Sequence, residues 1–220
     1  MKEALTYDDV LLVPKFSEIE SRTTVSLECE LDTKLKFTAP IIASPMDTVS
    51  GEAMAIKLSQ LGGVAVIHRY NSIEEQARIV KAVKQSGCKV GAAVGATGDY
   101  VERVNALVFA GVDFVCIDVA HGHHTMVREA IKSIRSTYPF LHITAGNVAT
   151  AEGFEALQSW GADSIRVGIG GGSICSTRIQ TGHGVPNITA IMECAKVANS
   201  AKLIADGGIK NAGDIVKALA

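Results

Sequence analysis

Residues 168–186, GIGGGSICSTRIQTGHGVP, concentrate the groups best suited to chemistry in this chain. Successive glycines let a backbone approach a ligand closely, and the N–H groups of such a loop can form an anion-binding concavity. Ser173 adds a hydroxyl donor for the same phosphate, and Cys175, three residues behind the last glycine of GIGGGS, offers a nucleophilic sulfur. If phosphate and thiol share a site, the phosphate anchors a nucleotide while the sulfur addresses its base. The thiolate is the active species, so the site must lower a reference pKa of ~8.5 or supply a base. Thr177 could orient a water or a leaving group. The stretch is not a dinucleotide fingerprint, because it lacks the last glycine of GxGxxG and no helix is expected immediately behind it. A tight turn carrying an inert cysteine is the plainer alternative, and the residues alone leave both open.

Two further clusters carry polar groups. ADGGI (205–209) offers the Asp206 carboxylate to a pair of ribose hydroxyls, with Gly207 and Gly208 making room for backbone contacts to phosphate. An aspartate that merely accepts backbone hydrogen bonds is the bland reading. DVAHGHH (118–124) holds three histidines, but a metal needs convergent ligands and an outer layer of partners that sequence does not display. Asp118 contacting a ribose or a carboxamide is the sharper expectation there. His68 and Arg69 could recognise substrate, or Arg69 could pair with a neighbouring acid; these readings stay open.

The elements that must position these groups are legible as a repeat. After an arm of about forty residues, short apolar runs recur at 41–46, 64–69, 89–95, 114–120, 141–147, 164–170 and 202–208. Near-continuous apolar character marks strands buried on both faces of a parallel sheet. Between them, 72–87, 99–111 and 150–161 repeat apolar residues at i, i+3 and i+4, and Gly62, Gly87, Gly111 and Gly161 stand where helices end. This βα alternation fits a doubly wound sheet or a (β/α)8 barrel. The barrel is favoured because Ser44, Asp47, His68, Asp118, His121, Asn147, Ser173 and Asp206 fall at or just past the C-terminal ends of strands, which a barrel gathers on one face. Seven units are counted, so the expectation is a single α/β (β/α)8 TIM barrel domain over 1–220 whose eighth βα unit lies beyond the end of the given chain.

Composition narrows the partners. The 47% hydrophobic and 20% charged content with a net charge of −2 gives no electrostatic preference for nucleic acid or an anionic membrane. No run reaches the ~18–20 apolar residues of a membrane span, and MKEALTYDDV lacks the apolar core of a signal peptide, so a cytoplasmic protein is expected. Cys29, Cys88, Cys116, Cys175 and Cys194 are scattered, without a CxxC pair or zinc-ligand spacing. All but Cys175 read as small buried hydrophobes.

Taken in order, LTYDDVLLVP (5–14), SPMDTVS (44–50), LGGVAVIHR (61–69), DVAHGH (118–123), AGNVAT (145–150), VGIGGGSICSTRIQTGHGVP (167–186) and IADGGI (204–209) resemble the family of IMP dehydrogenase and GMP reductase along essentially the whole chain. The resemblance implies a (β/α)8 barrel acting on the purine C2 position. It implies Cys175 as the nucleophile that attacks C2 of IMP, hydride transfer to NAD, and hydrolysis of the covalent intermediate to XMP, with Thr177 close to the reacting carbon. It further implies that Ser173 and Gly208 hold the 5′-phosphate, that Asp206 holds the ribose hydroxyls, and that Ser44 and Met46 line the nucleotide pocket. Asp118 and Asn147 would face the nicotinamide. The carbonyls of Gly170, Gly172 and Cys175 resemble the family's potassium site, suited to a hard cation. A homotetramer is implied by the same likeness. The N-terminal motifs look closer to the dehydrogenase; a GMP reductase using NADPH, or a catalytically silent nucleotide-binding barrel, are the alternatives. Only about twenty residues join LGGVAVIHR to KVGAAVG, where most dehydrogenases insert a regulatory CBS pair, so nucleotide regulation through such a module is not expected. The family's mobile flap follows the eighth strand and would lie beyond residue 220.

Overall fold

A computed structural model describes residues 3–172 and 177–220. A short antiparallel hairpin, β1 (Cys29–Glu30) and β2 (Lys36–Phe37), precedes seven parallel strands. These are β3 (Ile42–Ala43), β4 (Val64–Ile67), β5 (Gly91–Val94), β6 (Phe114–Asp118), β7 (His142–Val148), β8 (Ser164–Val167) and β9 (Lys202–Ala205). Each coincides with one of the seven apolar runs, β7 extending one residue past its run. The helices between them are α1 (Glu52–Gln60), α2 (Ile73–Gln85), α3 (Tyr100–Phe109), α4 (Thr125–Thr137), α5 (Ala151–Ser159), then α6 (Thr177–Thr181) and α7 (Asn187–Ala195), and α8 (Ala212–Leu219) after β9. The strands pair in chain order from β3 to β9, all parallel. A doubly wound sheet would reverse its order at a switch point; this sheet does not, and it curls into a barrel wall.

Local signals set these elements. Ser72, Thr150 and Asn211 each accept a backbone N–H of the first turn behind them, capping α2, α5 and α8. Gly111 follows α3 at φ +88°, a left-handed conformation that a side chain would resist. α2 alone joins β4 to β5, so no inserted domain separates them. One element departs from the sequence reading: the five-residue helix α6 starts at Thr177, close behind the glycine loop where no helix was expected.

Alternation along buried strands divides the interior in two. Ala65, Ile67, Ala92, Val94, Val115 and Ile117 face the helices and pack with Val80, Leu107, Ile131 and Phe154. Val64, Val66, Ala93, Phe114 and Cys116 point into the barrel and meet Leu31, Leu35 and Phe37 of the hairpin segment, which forms the barrel floor. Phe114 fits because its β5 neighbour is Gly91, where a Cβ would stand 2.3 Å from the ring. The floor also has a polar chain. Asp32 pairs with His142 Nδ1 at 2.6 Å, His142 Nε2 with Ser164 Oγ at 2.9 Å, and Ser164 with Thr144 Oγ1 at 2.7 Å. An ionised Asp32 fixes the proton on Nδ1, so Nε2 accepts from Ser164. Hydrogen bonds from Lys34, Leu35 and His142 outweigh burial and hold the Asp32 carboxyl below its ordinary range.

Between the outer strands β3 and β9 lies a cavity of about 480 Å³, lined by Ile42, Ser44, Leu203, Ala205, Gly208 and Leu219 among others. Among the described residues no strand pairs with these two edges. A hydrogen bond crosses the seam at its C-terminal end: Ser44 Oγ donates to Asp206 Oδ1 at 3.1 Å.

Candidate active site

That bond opens the polar cluster at the C-terminal ends of the strands. Asp206, just past β9, also accepts from Asn147 Nδ2 at 2.6 Å and from Arg166 Nη2 at 2.9 Å, both on Oδ2. The other arm of Arg166, Nη1, donates to Asp118 Oδ1 at 2.5 Å. Asn147 donates in addition to the Gly168 carbonyl at 2.8 Å, and the β7–β8 register shifts beside it, between Gly146 and Val148. A bulge of this kind re-aims a side chain. Ser44, Asp118, Asn147 and Asp206, read from separate motifs, therefore form one network around a single guanidinium. The resemblance divided Asp206 from Asp118 and Asn147 as facing different halves of the ligand pair; in the fold Asp118 and Asp206 share Arg166, and Asn147 shares Asp206 Oδ2 with it.

Arg166 itself was not among the sequence candidates. Its signal was a cation inside the apolar run SIRV, and a buried charge demands partners. Burial opposes its charge, yet the neighbouring carboxylates of Asp206 and Asp118 keep the guanidinium pKa above its ordinary value. Burial pushes the Cys116 thiol, 3.8 Å from Arg166 Nη1, up to about 12, so this cysteine stays protonated.

Two glycine turns adjoin this network. Gly168 follows β8 at φ +153°, and a Cβ there would fall 2.1 Å from the Asp206 carbonyl. Gly207 and Gly208 follow Asp206 at φ +82° and +75°. Across from them Asn187, the first residue of α7, donates to the Gly207 carbonyl at 2.6 Å. Asn187 was also missed by the sequence reading; an amide directly behind Pro186 gives only a weak signal. Gly208 is further flanked by Tyr7, whose ring atom Cε2 would lie 3.5 Å from a Cβ at that position. The N-terminal segment is anchored there by reciprocal Leu5–Thr189 hydrogen bonds and by Lys217 Nζ donating to the Tyr7 carbonyl. Burial, with Asp214 and Asp206 nearby, raises the Tyr7 phenol to about 12.

The remaining candidates are placed as follows. Met46 is half-buried in the turn behind β3, its carbonyl accepting from Val49 and Ser50. Thr177 opens α6 and is half-buried. Ser173 and Cys175 lie outside the described residues. Gly170 and Gly172 are described, and the Gly170 carbonyl accepts from Arg178 Nη1 at 3.0 Å. Of the three histidines, His124 caps α4 through Nδ1, His123 lies 5.9 Å from the Trp160 ring, and His121 faces His123 at 6.4 Å. Among the described residues no group of three or more His, Cys, Asp or Glu could hold a metal ion. At the rim behind β4, His68 Nδ1, Arg69 Nε and both side-chain atoms of Asn71 are buried without partners among the described residues, leaving donors and acceptors for a polar ligand. No described helix is long and apolar enough to cross a membrane.

Comparison with known proteins shows the family. Residues 4–220 match the family described as "IMP dehydrogenase / GMP reductase domain". The inosine-5'-monophosphate dehydrogenase of Borreliella burgdorferi is 39% identical, over all of this chain and 67% of its own length. The enzyme of the same name from Bacillus subtilis is 35% identical over all of this chain and 71% of its own. That of Cryptosporidium parvum is 38% identical over 99% of this chain and 65% of its own.

Proposed function

Because the chain belongs to the IMP dehydrogenase / GMP reductase family, we propose that it acts as an IMP dehydrogenase, converting IMP and water to XMP with release of a hydride and a proton. The observation that carries the reading is the close approach of the two glycine turns, Gly208 lying against the Gly171 carbonyl and Gly207 against Gly172, beside the Ser44–Asp206–Asn147–Arg166 network. Phosphate-binding backbone and diol-binding carboxylate then stand next to the loop that continues into Cys175.

In this reading Ser173 and the Gly208 N–H hold the 5′-phosphate, Asp206 accepts from the ribose hydroxyls, and Ser44 and Met46 line the pocket. The carboxylate of Asp206 has about four acceptor sites, of which three are taken, and the ribose competes for the exposed remainder. The Cys175 thiolate adds to C2 of IMP, forming a C–S bond, and hydride leaves the same carbon. Water then adds at C2, the C–S bond breaks, and the thiol returns as XMP departs. Covalent catalysis of this kind divides one difficult step into two easier ones. NAD, when bound, supplies the hydride acceptor. Asp118 and Asn147, both part-exposed beside Arg166, suit the polar edge of its nicotinamide. Thr177 lies two residues behind the thiol in sequence and orients the water. The carbonyls of Gly170, Gly172 and Cys175 would hold potassium, which steadies the loop behind the nucleophile; Arg178, which donates to the Gly170 oxygen, would have to share or yield that acceptor. An eighth βα unit in the seam between β3 and β9, a homotetramer and a cytoplasmic setting belong to the same reading.

The test is a paired assay with potassium present, one cuvette holding IMP with NAD and the other GMP with NADPH, for native protein and Cys175→Ala. NADH formation by native protein alone is expected. Consumption of NADPH with GMP would make the protein a GMP reductase, and equal behaviour of the two proteins would remove Cys175 from the chemistry.

A further inference from the structure

Asn187 stands between the two glycine turns and is 2% exposed. Its Nδ2 donates to the Gly207 carbonyl at 2.6 Å and approaches that of Asp206 at 3.5 Å. Its Oδ1 is buried, lacks a partner among the described residues, and points at Gly171, where a Cβ would fall 1.8 Å away. Gly171 is thus glycine because this carboxamide fills its side-chain space. A trans peptide is planar and its carbonyl and N–H point opposite ways. Holding the Gly207 oxygen toward α7 therefore turns the Gly208 N–H away from it.

We propose that Asn187 is a positioning residue for anion binding: by fixing the Gly207–Gly208 peptide plane it aims the Gly208 N–H at the 5′-phosphate of the nucleotide. The inference rests on the phosphate reading of these turns and adds the side chain that sets them. A glycine pair at positive φ has no side chain of its own to choose an orientation. The choice has to come from a neighbour, and Asn187 is the side chain bonded to that carbonyl. Tyr7 closes the other flank of Gly208, so the peptide is held between α7 and the N-terminal segment. The phenol hydroxyl, buried and without a partner among the described residues, offers no competing bond to the same carbonyl.

The experiment measures binding of IMP and of inosine, which lacks the phosphate, by calorimetry on native protein, Asn187→Ala, Gly171→Ala and the double variant. Asn187→Ala should weaken IMP about tenfold, the scale of a hydrogen bond to a charged group, and leave inosine within about twofold. Gly171→Ala should do the same by expelling the carboxamide. In the double variant the new methyl refills the vacated space, so its melting temperature should recover while the loss for IMP equals that of either single change. This variant carries the test should Asn187→Ala fail to fold. A double variant that binds IMP as native protein does, or that loses both ligands equally, overturns the role of Asn187 and leaves the phosphate reading standing. Native protein that binds inosine as tightly as IMP overturns the phosphate reading itself.

Discussion

Replacing Arg166 with leucine removes the cation that joins Asp118 to Asp206. Each pair brings opposite charges within about 4 Å, worth about 4 kcal/mol at an effective dielectric near 20, and desolvation offsets most of this. The measurable cost is that of leaving two carboxylates uncompensated, about 3–5 kcal/mol when a buried pair loses one partner. Asp118 and Asp206 keep 22% and 19% of their side-chain surface, so water relieves part of the strain and the lower figure applies. At about 2–3 kcal/mol per molar for the denaturant dependence, the urea midpoint of Arg166→Leu should fall by about 1–1.5 M at pH 7. Urea titrations followed by circular dichroism decide the matter. An unchanged midpoint refutes the reasoning.

Two other perturbations follow from the same structure. Burial holds the His142 imidazole below its ordinary pKa although Asp163 and Asp32 draw it upward. The folded protein thus favours the neutral ring; its stability is full above the unfolded value near ~6.5 and declines as pH falls from there toward the folded pKa, a slope that His142→Gln should flatten in the same urea assay. Gln76 Nε2 lies within 3.1 Å of the carbonyls of Ile67, His68 and Ala93, and its Oε1 accepts from Arg103. Gln76→Leu strands these buried groups and should cost about 3 kcal/mol, read as a fall in thermal midpoint of about 6–12 °C.

The barrel was legible because each strand is buried on both faces and so writes itself as an unbroken apolar run; the seven runs and seven strands coincide. Asp206, Asn147 and Asp118 were legible because polar residues closing such runs have few structural uses. Arg166 was not, since a charge within a run reads as noise until its partners, 40 and 48 residues away, are in place. The anchoring of Leu5 on Thr189 and of Asp32 under His142 was hidden for the same reason: neither pattern nor propensity encodes contacts 184 and 110 residues apart. Asn187 was hidden because its work is done through a backbone carbonyl, which no residue type announces.

The sequential strand order has a consequence in time. Each strand pairs with the one made just before it, so the wall can grow by short loop closures, the kind that cost least entropy and form fastest. The Ser44–Asp206 bond is different, for it joins residues 162 apart and waits until every intervening unit is docked. Competence of the site therefore arrives at the end of folding rather than with the core. In a refolding experiment, strand and helix signals should recover ahead of nucleotide binding, and the interval between them would clock the closing of the Ser44–Asp206 bond.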